Sequence, residues 1–231
     1  MTYHYKALGL AAALALAPIA GSAATVSVQA NAPDSWSAVD QGATTALGAG
    51  ASWTTAPAIV NGSIGGRYKS PFDPAQANNG SNVTGTDVIS GWQDLTYFTV
   101  GSPDLQGSPA VLKLSQSRSM LSLLWGSVDT YNAVELLRGG SSIHTVSGQD
   151  VLDNGGQPAA SGAALVKISG AGLFDEVKFY SNFNGGDLTG SDRPAFEFSN
   201  VVTPVPLPAA GWLMLAGFGG LAALRRRKRA A

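Results

Sequence analysis

Short period-two alternations of apolar and polar residues, each ended by glycine or by Asn, Asp, Ser and Pro, most limit what this chain can fold into. Thr25-Val26-Ser27-Val28-Gln29-Ala30 alternates as a half-buried strand does. The same reading predicts strands near residues 58–64, in the aromatic stretch 88–100, and at 111–114, 119–126, 133–138, 142–146, 164–169, 174–180 and 194–199. Gly139-Gly140 between two of them predicts a hairpin turn, and Asp153-Asn154-Gly155-Gly156 a second turn. Strands recurring every ~8–12 residues predict an all-β fold, with a β-sandwich or jelly-roll-like body over residues 25–203. Residues 31–85 are rich in Ala, Gly, Asn, Ser and Pro and read as long loops. Between the two ends no apolar stripe runs at helical spacing for about 12 residues or more. Glycine, at 29 of 231 residues, is about twice the usual ~7% and suits a turn-dense chain.

The ends differ from the body. Lys6 precedes an almost wholly apolar run over residues 7–20, followed by the small residues Gly21-Ser22-Ala23-Ala24. A basic start, a short apolar run and a small-residue site predict a secretory signal helix, residues 1–24, cleaved by signal peptidase after Ala23 or Ala24. No Arg-Arg pair stands near Lys6, which favours general secretion over the twin-arginine route. At the other end, residues 204–231, Val205-Pro206-Leu207-Pro208-Ala209 leads into residues 210–224, which carry no charge. Arg225-Arg226-Arg227-Lys228-Arg229 follows. The prolines keep the first part extended. A helix over residues 209–224 would rise about 24 Å at 1.5 Å per residue, against a hydrocarbon core of ~30 Å. Long arginine side chains and Trp212 at the two interfaces make up the difference, so a C-terminal transmembrane helix with a cytoplasmic basic stop is expected.

Charge is segregated in the same way. Residues 25–204 hold eight basic residues against all 15 acidic ones, a net charge of −7, while five of the 14 basic residues form the terminal run. An acidic body repels phosphate backbones, so no nucleic-acid partner is expected.

The tail resembles a PEP-CTERM sorting signal of the VPLPA type: Pro-Leu-Pro within Val205 to Ala209, a short apolar helix, then a terminal arginine cluster, in that order. The resemblance implies an exosortase as partner, with Val205, Pro206, Leu207, Pro208 and Ala209 as recognition motif and cleavage nearby. Leu207 replaces the glutamate of the plain Pro-Glu-Pro form, which implies the processing enzyme serving this subtype. It further implies a Gram-negative bacterium that makes exopolysaccharide. The precursor would be anchored in the inner membrane with a periplasmic body, then reach the cell surface or extracellular matrix. A simple tail anchor is the plainer alternative.

The body also resembles many proteins carrying this tail, through Leu124-Trp125-Gly126-Ser127-Val128-Asp129-Thr130-Tyr131-Asn132, the segment 174–179 and Ala195-Phe196-Glu197-Phe198. Two readings of the first block stand. In one it is a core hairpin, with Trp125 packed, Gly126 giving clearance, and Asp129 and Asn132 capping the turn through their side chains. In the other, Trp125, Asp129, Tyr131 and Asn132 form a ligand surface, since aromatic planes and polar groups suit sugar rings.

Residues for catalysis are sparse. Cysteine is absent, which removes disulfides, thiol nucleophiles and thiolate metal sites. His144 is the one histidine past residue 24 and falls in a strand pattern, and no Gly-x-Ser-x-Gly elbow occurs. Glu135, Glu176 and Glu197 keep a carboxylate-dependent glycosidase in view, although each reads as solvent-facing. Asp150 to Asn154 and the segment 185–192 offer oxygens for calcium but fit neither the EF-hand loop nor a repeated Gly-Gly-x-Gly-x-Asp array, and turn stabilisation is the simpler reading. The expectation is therefore a non-enzymatic exported protein with no catalytic residue, metal or cofactor, associated with exopolysaccharide or biofilm. A lectin-like glycan-binding module using Trp36, Trp53 or Trp92 is the alternative, and the glycosidase comes third.

Overall fold

The computed structural model describes residues 24–30, 42–65, 67–73, 91–101, 109–155, 163–181 and 195–204. The expected signal helix with Ala23, the motif Val205 to Ala209, the apolar helix, the basic run Arg225 to Arg229, Trp36 and the 185–192 loop lie outside the described residues, as does the Trp92 side chain.

The fold is all-β. Among the described residues, one antiparallel sheet of nine strands comprises β1 (Thr25–Ala30), β2 (Ala51–Thr55), β3 (Ala58–Asn61), β4 (Thr96–Val100), β5 (Ala110–Trp125), β6 (Ala133–Arg138), β7 (Ser141–Ser147), β8 (Ala164–Tyr180) and β9 (Phe196–Val202). Helical structure among the described residues is a 3-10 turn (Trp92–Asp94) and one short helix, α1 (Gly148–Asp153).

Two long strands organise everything else. β5 and β8 pair along both their halves. The first half of β5 also pairs with β2, and the second half of β8 with β6, which leads on to β7. The second half of β5 pairs with β9, then β4 and β3, while the first half of β8 takes β1. The register breaks between Lys113 and Met120 on β5, opposite the stretch between Ser169 and Glu176 on β8. Gly170 and Gly172 sit in that break with φ of 78° and 95°, a backbone that costs glycine little.

Sequence pattern alone divides each long strand in two, at residues 115–118 and 170–173. Alternation fails there, yet the chain passes through as an irregularity and the ladder resumes in the same strand. Arg118 fixes the break on β5. It is 1% exposed, and its guanidinium donates to the carbonyls of Ala49 (3.0 Å), Gln116 (3.0 Å) and Thr203 (3.1 Å). These charge-assisted bonds tie the loop before β2 and the end of β9 to the middle of β5.

The core lies on the face shared by Leu112, Leu123, Val166, Phe179, Phe196 and Phe198. Phe179 and Phe198 stack with centroids 4.3 Å apart. Trp53 on β2 leans edge-on against Phe98, Phe179 and Phe198 at 5.2–6.3 Å. That aromatic contact explains a strand inside the stretch expected to be loop: Ala51–Thr55 has a weak pattern, and its tryptophan is held by side chains far away in sequence. Gly139 and Gly140 form the expected two-residue hairpin, with φ of 58° and 82° as a type I′ turn requires. α1 replaces the start of the predicted turn at residues 153–156. Its signal was Ser147-x-x-Asp150, a reciprocal capping box in which Ser147 Oγ accepts from Asp150 N and the Asp150 carboxylate accepts from Ser147 N.

Candidate functional site

The block from Trp125 to Asn132 leaves the end of β5, crosses one edge of the core and enters β6. Trp125 is fully buried, opposite Phe198 in register, with its ring 4.5 Å from that of Phe196. Its Nε1 has no acceptor. Gly126 is required by closeness: its N–H donates to the Glu197 carbonyl at 2.8 Å. A Cβ there would lie 3.1 Å from Glu197 Cβ and 3.0 Å from Pro71 Cβ. The Asp129 carbonyl accepts from Asn132 N at 3.1 Å and closes the turn, and the Asn132 carbonyl accepts from Gly148 N at 2.8 Å. α1 thus starts directly against the loop, and a Cβ on Gly148 would fall 1.9 Å from the Asp129 carbonyl oxygen.

The four residues considered as a ligand surface therefore do not share one exposed face. Trp125 and Asn132 are internal, at 0% exposure. Asp129 and Tyr131 are half-buried and joined, the tyrosine hydroxyl donating to the carboxylate. The capping role expected of the Asn132 amide is also absent, for both its side-chain atoms lack a partner. Burial pushes the Asp129 carboxyl up, and the bond from Tyr131 opposes that rise.

Beneath this loop lies a residue that pattern reading placed in solvent. Glu197 is 2% exposed, on the face of β9 away from Phe196 and Phe198 and covered by residues 67–73. One carboxylate oxygen, Oε1, accepts from Lys69 N at 2.8 Å, while Oε2 has no partner. Burial holds this carboxyl well above its ordinary range, and the charge of Asp129 pushes in the same direction. The backbone N–H of Lys69 and the lysine charge pull the other way. Thr99 faces Glu197 across the β4–β9 pair, fully buried, with its hydroxyl unpartnered. Tyr97, further along the same face, donates to the Gly62 carbonyl at 2.7 Å, and burial raises its phenol far out of the ordinary range. Tyr68 and Phe72 pack edge-on against it.

Glu135 and Glu176 are likewise buried rather than solvent-facing, at 8% and 6% exposure. Glu135 accepts from the Tyr180 hydroxyl at 2.8 Å, and Glu176 pairs with Lys113 and, at 3.7 Å, with Lys178. Their oxygens are thus engaged within one sheet face. The alternation that exposes a strand's second face fails for all three glutamates, because a loop or a cross-strand partner covers each.

The segment from Asp150 to Asn154 is helix and helix end rather than a cation loop. Asp150 is taken up by the capping box, and Asp153 accepts from the Gln149 amide at 2.8 Å. His144 is half-buried in β7 opposite Leu136, on the wall of a cavity of about 300 Å³ shared with Thr25, Thr145 and Asp150. Among the described residues no three His, Asp or Glu side chains gather as a metal cluster. Among them, too, no helix is long and apolar enough to cross a membrane. Compared with known families, curated proteins and solved structures, the chain matches none.

Proposed function

We propose that this chain is an exported, non-enzymatic surface or matrix protein. Its body is a β-sandwich of jelly-roll type, and its C-terminal tail is a sorting signal read by an exosortase. The observation that carries the reading is the ordered tail: Val205-Pro206-Leu207-Pro208-Ala209, an uncharged apolar stretch, then Arg225 to Arg229. Two facts of the fold support it. Among the described residues the first strand begins at Thr25, directly after the small-residue site at Ala23 and Ala24, and the last ends at Val202, two residues before the tail. The described sheet thus lies between the two segments read as addresses. Arg118 grips the Thr203 carbonyl, which ties the body to the point where the tail departs.

For the sandwich, the support is the pairing of β5 and β8. Each strand contributes one half to β1, β3, β4 and β9 and the other half to β2, β6 and β7. A sheet bent at those two breaks brings its apolar faces together around one core. In the cell the secretion machinery and signal peptidase would act first, the inner membrane would hold the precursor, and exopolysaccharide is the expected surrounding of the product. Of the three tryptophans that a glycan-binding role relied on, Trp53 is committed to the core.

The test is to tag the body and express it in an exosortase-bearing host beside the Pro206→Ala/Pro208→Ala variant. The variant is expected to remain as an uncleaved inner-membrane species while the wild type is processed. Identical processing and location of the two would leave a simple tail anchor.

A further inference from the structure

β1 begins where the signal segment is expected to end. Cleavage after Ala23 frees the amino group of Ala24, and cleavage after Ala24 frees that of Thr25. Both residues line the cavity of about 300 Å³ that His144 and Thr145 of β7 share with Asp150 and Asn154 of α1 and its end. Among the described residues β1 has its ladder with β8 alone, from Thr25 opposite Ser169 to Ala30 opposite Ala164. α1 is no part of that ladder, yet it packs against β1. The cavity is thus the place where the start of β1 meets β7 and α1.

Its chemistry suits one kind of guest. Among the described residues Asp150 is the one acidic side chain on the cavity, and no Lys or Arg stands there to neutralise it. Both bonds from Ser147 to this carboxylate, each 2.7 Å, go to Oδ2. Oδ1 takes no part in the cap and is left for another donor. A carboxylate oxygen beside a threonine hydroxyl and an asparagine amide suits a primary ammonium, which carries three donors and no acceptor. Cleavage places such a group on the cavity wall itself. Before cleavage the same nitrogen is a neutral amide with a single N–H.

We propose that this cavity seats the chain's own new amino terminus: the ammonium freed at Ala24 or Thr25 pairs with Asp150 and fastens β1 to α1 and β7. The contact is made only once the signal segment is removed, so that processing completes the fold at this edge. The inference rests on the reading of residues 1–24 as a cleaved signal and is independent of the sorting tail. Asp150 is exposed, so solvent screens the pair and its effect is modest. The sign is fixed. An ammonium that gains a partner has its value raised in the native state, so its stabilisation is complete below the ordinary ~7.7–8.0 and is lost as pH passes the native value.

The test uses the full-length chain, exported from a host with signal peptidase and purified with its tail in mild detergent. N-terminal sequencing is expected to read Ala24 or Thr25 as the first residue. The pH profile of α-amine acetylation, followed by mass spectrometry of the N-terminal peptide, should have a midpoint about 0.2–0.7 pH unit higher in the wild type than in Asp150→Asn. His144→Gln, which removes the cavity's other titratable group, should preserve that difference. Ser147→Ala, which weakens the helix cap and keeps the carboxylate, should lower Tm and leave the midpoint in place. If Asp150→Asn does not fold, Gly-Ser-Gly-Ser inserted directly after the cut bond carries the comparison. It moves the ammonium away from the cavity and should lower Tm by ~1–4 °C at pH 7 and not at pH 9.5. A first residue other than these two overturns the signal reading and the pairing together. The expected first residue with equal midpoints in wild type and Asp150→Asn, or with a Tm that the insertion leaves unchanged at pH 7, overturns the pairing alone.

Discussion

Replacing Trp125 by alanine separates a core residue from a ligand platform. A tryptophan buries about 150–250 Å², and at ~25 cal/mol per Å² that is worth roughly 4–6 kcal/mol, an upper figure because unfolded chains already hide some surface. Trp125 is fully buried against Phe196. The expected loss for Trp125→Ala is therefore the ~3–5 kcal/mol typical of a large aromatic removed from a packed core. Against a total stability of ~5–15 kcal/mol that leaves a marginal fold. Phenylalanine is the informative companion. It keeps a ring against Phe196 and removes Nε1, a buried donor with no acceptor. Relief of that donor, ~1–3 kcal/mol, offsets much of the lost volume, so Trp125→Phe should stay within about 2 kcal/mol of wild type. Urea unfolding followed by far-UV circular dichroism reads both. With a slope of ~2 kcal/mol per M, the alanine variant should unfold at a midpoint about 2 M lower and the phenylalanine variant less than 1 M lower. An alanine midpoint within experimental error of wild type would refute the burial argument and return the indole to the surface.

Two further outcomes follow from the same region. Gly148→Ala should stabilise an ordinary helix by ~1 kcal/mol, but here the new Cβ falls 1.9 Å from the Asp129 carbonyl oxygen, so a net loss of ~1–3 kcal/mol in thermal unfolding is expected, and a gain would contradict the contact. Stability should fall as pH rises from about 4.5, because the Glu197 carboxyl is raised in the native state by burial: its contribution is complete below the unfolded value of 4.5 and is lost as pH passes the native one. Asp129 is raised for the same reason and acts in the same direction, so Glu197→Gln should flatten the slope without erasing it, and an unchanged slope would remove Glu197 as its source.

Local pattern was informative wherever a strand buries one face and contacts its sequence neighbours. β1, the β6–β7 hairpin and the half-strands of β5 and β8 follow from alternation and glycine turns, because each is specified within a few residues. Ser147-x-x-Asp150 is equally legible as a helix cap, just ahead of the turn expected at residues 153–156. The failures share another cause. β2 depends on Trp53 finding Phe98, Phe179 and Phe198, and the joining of half-strands depends on Arg118 reaching Ala49 and Thr203. The burial of Glu197 depends on residues 67–73 folding over its strand.

From the sequence alone came the class of the body, the division of charge between body and ends, and the ordered tail from which sorting is inferred. All three are carried by near neighbours along the chain or by composition, and so require no knowledge of what folds against what. The orphaned oxygens of Thr99 and Glu197 belong to the tertiary structure alone. They stand together because β4 and β9, a hundred residues apart in the chain, are paired in one particular register. A shift of one residue in that register would turn Glu197 toward the phenylalanines and part the two oxygens.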